Sequence, residues 1–441
     1  MYFRVFVVIA VFPLLPAAFG AEHDAHTIDA SVHDAAIQSR QMPGGAIMNA
    51  FDAERNALAI DANIQARHMP YGGVIDPILS LADLSQITDY TRCGDSAIWT
   101  GHYLAAEAFR YKVTGAADAL TNINNAISEI NNLIDVTGGN VLARCALPAS
   151  SPYAASISSQ ESANGIYNGS ISGTPSGTPW IWVGNTSRDQ YIGVFFGLTV
   201  TYDLVTDATV RKWCTYLVTR LLQNLQDNAW NIVMPNGSIS TTFLIRPDEQ
   251  LSLLLIGKQV NPALFSSEYS SESDTISPSV VAPVSVDCAD QTGSYFKFNL
   301  DYLTFYTLMR MGSGYSAYWY GLAYDELRAT TSSHQNAQFN MIDRAINGAN
   351  ATRDAQTQSL LGAWLLRPRL DVYRDFTGQF PACSTNEACQ PLPVVDRVTT
   401  DFVWQRDPFA LSGGGQGDIE SAGIDYILPY WMGRYYGVIP N

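Results

Sequence analysis

Six apolar segments of helical period each carry an aspartate near the head: Asp95, Asp189, Asp248, Asp301, Asp354 and Asp418. Arginine stands just before four of them, in Arg92-Cys-Gly-Asp95, Arg188-Asp189-Gln190, Arg246-Pro-Asp248-Glu-Gln250 and Arg353-Asp354-Ala-Gln356. The recurrence reads as a degenerate internal repeat, each unit long enough for a helical hairpin and an irregular loop. Such units cannot bury their apolar faces alone and have to stack on their neighbours. Six hairpins with aligned inner helices close most economically into a ring. The expected fold class is therefore all-α, an (α/α)6-type toroid of helical hairpins with long irregular loops.

Residues 1–20 read as a secretory signal, with Arg4, an apolar run from Val5 and small residues at Ala18 and Gly20. Residues 21–44 are a polar, Gly/Pro-punctuated lead-in, and 45–441 is the expected single toroid domain. Later in the chain no apolar stretch reaches the roughly 18 residues a membrane helix needs. The expectation is a secreted or periplasmic protein with no membrane span after signal cleavage. Lys and Arg number 25 against 41 Asp and Glu, a formal charge of −16. That field repels phosphate backbones, so nucleic acid is excluded as a partner.

Six cysteines behind an export signal favour disulfides. Cys383 and Cys389 flank a short polar loop and form the easiest pair. Cys93 precedes one helix and Cys145 follows the helix that returns to the same end, so Cys93–Cys145 is the second. Cys214 and Cys288 pair by subtraction, with a buried free thiol at Cys214 as the alternative.

The helical pattern is strongest over 95–112 and 189–205, apolar on nearly all sides, and over 116–136 and 210–230, each with one apolar stripe. A helix apolar all round is a buried one, and a striped helix covers it. An amphipathic helix is also expected over 45–67. Further helices are expected over 248–257, 300–311, 315–328, 335–347, 354–366 and 418–436. Residues 146–186 and 266–293 read as long irregular loops, and 368–389 shows little helical period.

For any one Asp the plain role is helix capping, since a carboxylate satisfies free N–H groups and complements the helix dipole. The sharper role needs only two of them. Glycan cleavage uses one carboxyl as general acid and another as base or nucleophile. Asp95 and Asp189 are the candidate pair, with Asp418 and Glu420 in reserve. Trp99, His102 and Tyr103 share a helical face with Asp95, and aromatic rings beside acids suit the C–H faces and hydroxyls of sugars. Trp182, Arg188, Gln190, Arg246 and Arg353 complete the candidate substrate-binding set. The arginines alternatively fix helix register by pairing with Asp, or fork onto the carboxylate of an acidic sugar.

No metal is expected: the histidines lack ligand spacing, and three of them, His23, His26 and His33, fall in the lead-in. No cofactor is expected either. Gly413–Gly417 lacks the Gly-Lys-Ser/Thr ending of a phosphate loop, and no Gly-x-Ser-x-Gly is present. Asn168, Asn185, Asn236 and Asn350 begin glycosylation sequons.

The stretch Gly94-Asp95-Ser-Ala-Ile-Trp99-Thr-Gly-His102-Tyr-Leu-Ala-Ala-Glu, with the hairpin layout from about residue 45, resembles the six-hairpin α/α toroid glycan-active enzymes. That group holds glycosidases, polysaccharide lyases and sugar epimerases. The resemblance implies an oligo- or polysaccharide substrate. The leading expectation is an exported glycoside hydrolase, the close alternative is a lyase acting on acidic glycans, and the third is a non-catalytic scaffold or glycan-binding protein. An all-α cyclase is disfavoured by the lack of an Asp-Asp-x-x-Asp cluster.

Overall fold

The computed structural model describes residues 50–172, 178–398 and 401–440. The expected signal at 1–20 and the lead-in at 21–44 lie outside them. Helix α1 (Ala50–Asn63) runs on through a π turn (Ile64–His68). An antiparallel hairpin follows, β1 (Asp76–Ser80) and β2 (Asp83–Thr91), with Asp76 opposite Thr91. Helix α2 (Ser96–Thr114) is buried without a break from Ser96 to Arg110, as its all-round apolar sequence predicts. It stops at Gly115, whose φ of 66° is the left-handed cap that glycine adopts without steric cost; its N–H bonds the Tyr111 carbonyl at 2.8 Å. Helix α3 (Ala117–Asp135) covers α2 with its stripe, burying Ile123, Ile127, Ile130 and Ile134.

Strand β3 (Cys145–Pro148), helix α4 (Ala154–Gln160), β4 (Ile166–Gly169) and β5 (Trp180–Val183) come next, with β5 central in a three-stranded antiparallel sheet. The pair α5 (Arg188–Leu204) and α6 (Ala208–Asp227) follows, and Asp207 caps α6 by accepting from the N–H groups of Thr209 and Val210. Helices α2 and α5 meet backbone to backbone. A Cβ on Gly101 would lie 2.2 Å from the Gly193 carbonyl oxygen, and one on Gly197 2.3 Å from that of Gly101.

The hairpin β6 (Asn231–Val233) and β7 (Ile239–Thr242) leads to α7 (Pro247–Val260), α8 (Pro262–Ile276), α9 (Val281–Ala289), α10 (Phe296–Met311), α11 (Gly314–Thr331), α12 (Ala337–Asn347) and α13 (Ala351–Trp364). Short strands β8 (Arg374–Asp375), β9 (Ala382–Ser384), β10 (Glu387–Ala388) and β11 (Ser412–Gly413) precede α14 (Ile424–Tyr435), which packs on α2 and α1. Asp371 organises the glycine run: its Oδ1 accepts from Gly417 and Ile419 N–H, both at 3.0 Å. No helix among the described residues is long and apolar enough to cross a membrane.

The all-α expectation is corrected. Of the described residues 59% are helical and 13% in strands, a mixed α/β arrangement with several small sheets, and a six-hairpin toroid is not shown. The strands escaped the pattern because all but β2 are two to five residues long, and the β1–β2 pair is bulged. The β1–β2 register shifts between Ile78 and Leu79 and again between Leu79 and Ser80, which destroys the period of two that a strand is read by. The expected loop over 266–293 holds α8 and α9 instead, and 146–186 carries the three-stranded sheet. Nor do the six aspartates share one position. Asp189, Asp248 and Asp354 lie in first turns, Asp301 lies well inside α10, and Asp418 lies before α14 outside any helix.

Cys93–Cys145 and Cys383–Cys389 are disulfide-bonded. The Cys214–Cys288 pairing is corrected: both are buried free thiols. Cys214 sits on α6, which packs on α3, α5 and α7, whereas Cys288 sits on α9, which packs on α10 and α11.

Candidate active site

Asp95 stands at the head of α2 without capping it, since its side chain makes no bond to the helix's free N–H groups. Its side chain is 36% exposed. Two donors face one oxygen: Gln190 Nε2 donates to Oδ1 at 3.3 Å, and Arg144 Nη1 lies 4.0 Å from the same atom. Burial, then the negative charges of Asp401 and Asp189, push the carboxyl up to about 6 against the pull of Arg144 and Arg406.

Asp401 is buried, and Arg406 forks onto it, Nε to Oδ1 at 2.7 Å and Nη2 to Oδ2. Burial alone would raise this carboxyl, but the Arg406 hydrogen bond and the charges of Arg406, Arg92 and Arg367 outweigh it and hold it below the usual range. Asp189, in the first turn of α5, is partly exposed, and no hydrogen bond or ion pair engages its carboxylate among the described residues. Glu249, fully buried in the first turn of α7, lies 2.8 Å from Arg188 Nε and 3.5 Å from Arg246 Nε. Burial still pushes it up to about 7 despite Arg246 and Arg188, with Asp248 and Asp189 adding to the rise.

Asp95 at the head of α2 thus feels the charges of Asp189 at the head of α5 and of Asp401 in the segment before Phe402. Arg144 holds the backbone of the first two together: it donates to the carbonyls of Gly94 at 2.8 Å and Asn185 at 3.0 Å, and to Ser187 Oγ at 2.9 Å. A narrow recess beside them is lined by Asp76, Trp99, Asp401, Phe402 and Asp425.

The other candidates divide. Trp99 reaches that recess, but one face of its indole stacks on Phe402 at 4.9 Å and 18°. His102 is fully buried. Its Nδ1 donates to the Ile98 carbonyl at 2.8 Å, Nε2 lies 3.4 Å from Asn299 Nδ2, and burial brings it down to about 4, so it is a neutral interior histidine. Tyr103, two turns into α2, is equally buried, donating to Asp61 at 2.6 Å and accepting from Gln65 at 2.7 Å. Trp182 is locked in the sheet against Tyr167 at 4.6 Å.

The arginines are committed within the protein. Arg188 binds Glu249 and donates to the Thr242 carbonyl at 3.3 Å. Buried Arg246 bridges Asp248 at 2.7 Å, Asp301 at 2.6 Å and Asp287 at 2.5 Å. Arg353 pairs with Asp343 and with Asp354, and Asp354 also accepts from Asn350 N–H at 3.3 Å. Asp248, Asp301 and Asp354 are therefore structural. In the reserve pair, Glu420 is held among Arg67 at 3.3 Å, Arg369 at 3.6 Å and His68 at 3.8 Å. Asp418 binds β1 through its backbone, its carbonyl accepting from Leu79 N–H at 2.7 Å.

Sequence reasoning missed Asp401, Arg406, Arg144 and Glu249. Arg144 had a signal, being the neighbour of a cysteine expected to pair beside Asp95. Asp401 had none, because it precedes a single 3-10 turn (Val403–Gln405) without period. Among the described residues no group of His, Cys, Asp and Glu is arranged to hold a metal ion. Comparison with protein families finds no matching model, and comparison with curated proteins finds no similar chain.

Proposed function

We propose that the protein is an exported glycoside hydrolase in which Asp95 is the general acid and Asp189 the general base. The observation that carries this reading is a solvent-reachable carboxyl held up to about 6 and within electrostatic reach of Asp189, whose carboxylate no hydrogen bond or ion pair engages among the described residues. A carboxyl that keeps its proton to higher pH than usual and a neighbouring carboxyl without partners can divide the acid and base roles. Asp401, with both oxygens taken by Arg406, is a fixed negative charge that adds to burial in raising Asp95.

In the proposed step Asp95 gives its proton to the bridging oxygen as the anomeric C–O bond breaks, the bonding pair leaving with that oxygen. Water adds to the anomeric carbon and its proton passes to Asp189. Proton return from Asp189 to Asp95 through solvent closes the cycle.

Commitment of Arg188, Arg246 and Arg353 to internal carboxylates favours this reading over elimination on acidic glycans, which needs a cation for the uronate. The absence of a cap bond at Asp95 favours it over a scaffold whose aspartates serve only helix ends. Release of reducing ends from a panel of neutral polysaccharides and aryl glycosides tests it. Asp95→Asn is expected to lower kcat by about 10³-fold or more at unchanged melting temperature. Inactivity of the wild type across the panel, or a melting temperature that collapses in the variant, would sink the assignment.

A further inference from the structure

Gln190 is fully buried in the first turn of α5 and spans to the head of α2. Its Oε1 accepts the Ile98 N–H at 2.9 Å, one of the N–H groups a helix cannot satisfy internally. A backbone N–H only donates, so the atom facing Ile98 has to be the amide oxygen, and the amide orientation is decided by the protein. The NH2 group is thereby turned toward Asp95 Oδ1, 3.3 Å away. Arg144 Nη1 faces that same oxygen. Neither donor has an acceptor function to offer.

We propose that Gln190 is a positioning residue that keeps Asp95 Oδ1 a permanent hydrogen-bond acceptor and so assigns the transferable proton to Oδ2. This deepens, and rests on, the reading of Asp95 as general acid. An acid with two equivalent oxygens would carry its proton on the wrong one part of the time. Here a proton on Oδ1 would meet an N–H group head-on, so the proton resides on the oxygen free to meet the leaving group. The backbone contact of α2 and α5 at Gly101 and Gly193 sets the distance over which the amide reaches.

The test uses the full mature protein and two variants, Gln190→Glu and Gln190→Leu, read in two ways. The first is the titration of the Asp95 side chain by carbon-detected NMR, assigned by its loss in Asp95→Asn. Either variant removes the donor, and Gln190→Glu adds a second carboxyl, so the midpoint is expected to rise by about one pH unit or more. The second compares glycosides of one sugar with a poor alkyl leaving group and with a 2,4-dinitrophenyl group, which departs without a proton. Turnover of the alkyl glycoside is expected to fall ~10²-fold and that of the dinitrophenyl glycoside less than ~10-fold.

Equal losses on both glycosides would mean a merely structural role and overturn the proposal. A titration midpoint that stays put in both folded variants would do the same. If the wild type cleaves no glycoside, the hydrolase reading fails by itself, and the titration still decides whether Gln190 governs the Asp95 proton.

Discussion

At the scale of single residues, the chain places acids where burial matters more than partners do. Glu129 on α3 is the plainest case: it is buried with one hydrogen bond, from Asn132 Nδ2 at 3.2 Å, and burial pushes it up to about 8. Its folded pKa lies above the unfolded one, so the folded state holds the proton more tightly. The stability this contributes is complete below the ordinary glutamate range and is lost as pH rises through about 8. Denaturant melts are expected to show the wild type losing on the order of a few kcal/mol more than Glu129→Gln between about pH 5 and about pH 8. Parallel pH profiles for the two proteins would contradict that account. The same logic separates the readable part of the candidate site from the hidden part. Asp95 and Asp189 were found because helix heads announce themselves by period. Asp401, which tunes Asp95, was hidden because its influence acts through space from an aperiodic segment, and Tyr103 and His102 misled because a shared helical face also leads inward.

Secondary-structure elements were read well where their periodicity is long and poorly where it is short. Helices α2, α3, α5 and α6 follow their apolar patterns closely. Strands of two to five residues and the bulged β1–β2 hairpin carried no comparable signal, and Ser-rich α8 resembled a loop because it buries only Phe265, Tyr269 and Ser273. The aspartate repeat, real in the sequence, does not map onto equivalent positions of equivalent elements. What joins α2 to α5 is instead the absence of side chains at their crossing. Gly101→Ala would drive a methyl against the Gly193 carbonyl, which as backbone cannot swing aside, and is expected to cost about 3 kcal/mol or more. Gly321→Ala, mid-α11 with open space around it, is the contrast and is expected to stabilise by up to ~1 kcal/mol. Thermal melts of the two variants that move in the same direction would refute the close-contact explanation.

For the molecule as a whole, the bond between Cys93 and Cys145 bears on more than stability. It closes a span of 52 residues, worth about 4 kcal/mol in the chain-entropy view, and it lies two positions before Asp95 and one after Arg144. Severing it frees the segments that carry both groups while the buried helices around them keep their packing. The Cys93→Ser, Cys145→Ser double variant, which leaves Cys383–Cys389 in place, is therefore expected to lose the proposed glycoside turnover while keeping its helical circular dichroism, and loss of the two together would disprove this. Cys214 and Cys288 do not complicate the experiment, because burial pushes their thiols up to about 12 and about 11 and leaves them poor nucleophiles. A polypeptide ripened in a thiol-rich compartment would thus be shaped yet idle, and passage into oxidising surroundings would arm it. Maturation and place of action would then be enforced by one covalent cross-link, with no separate inhibitor needed.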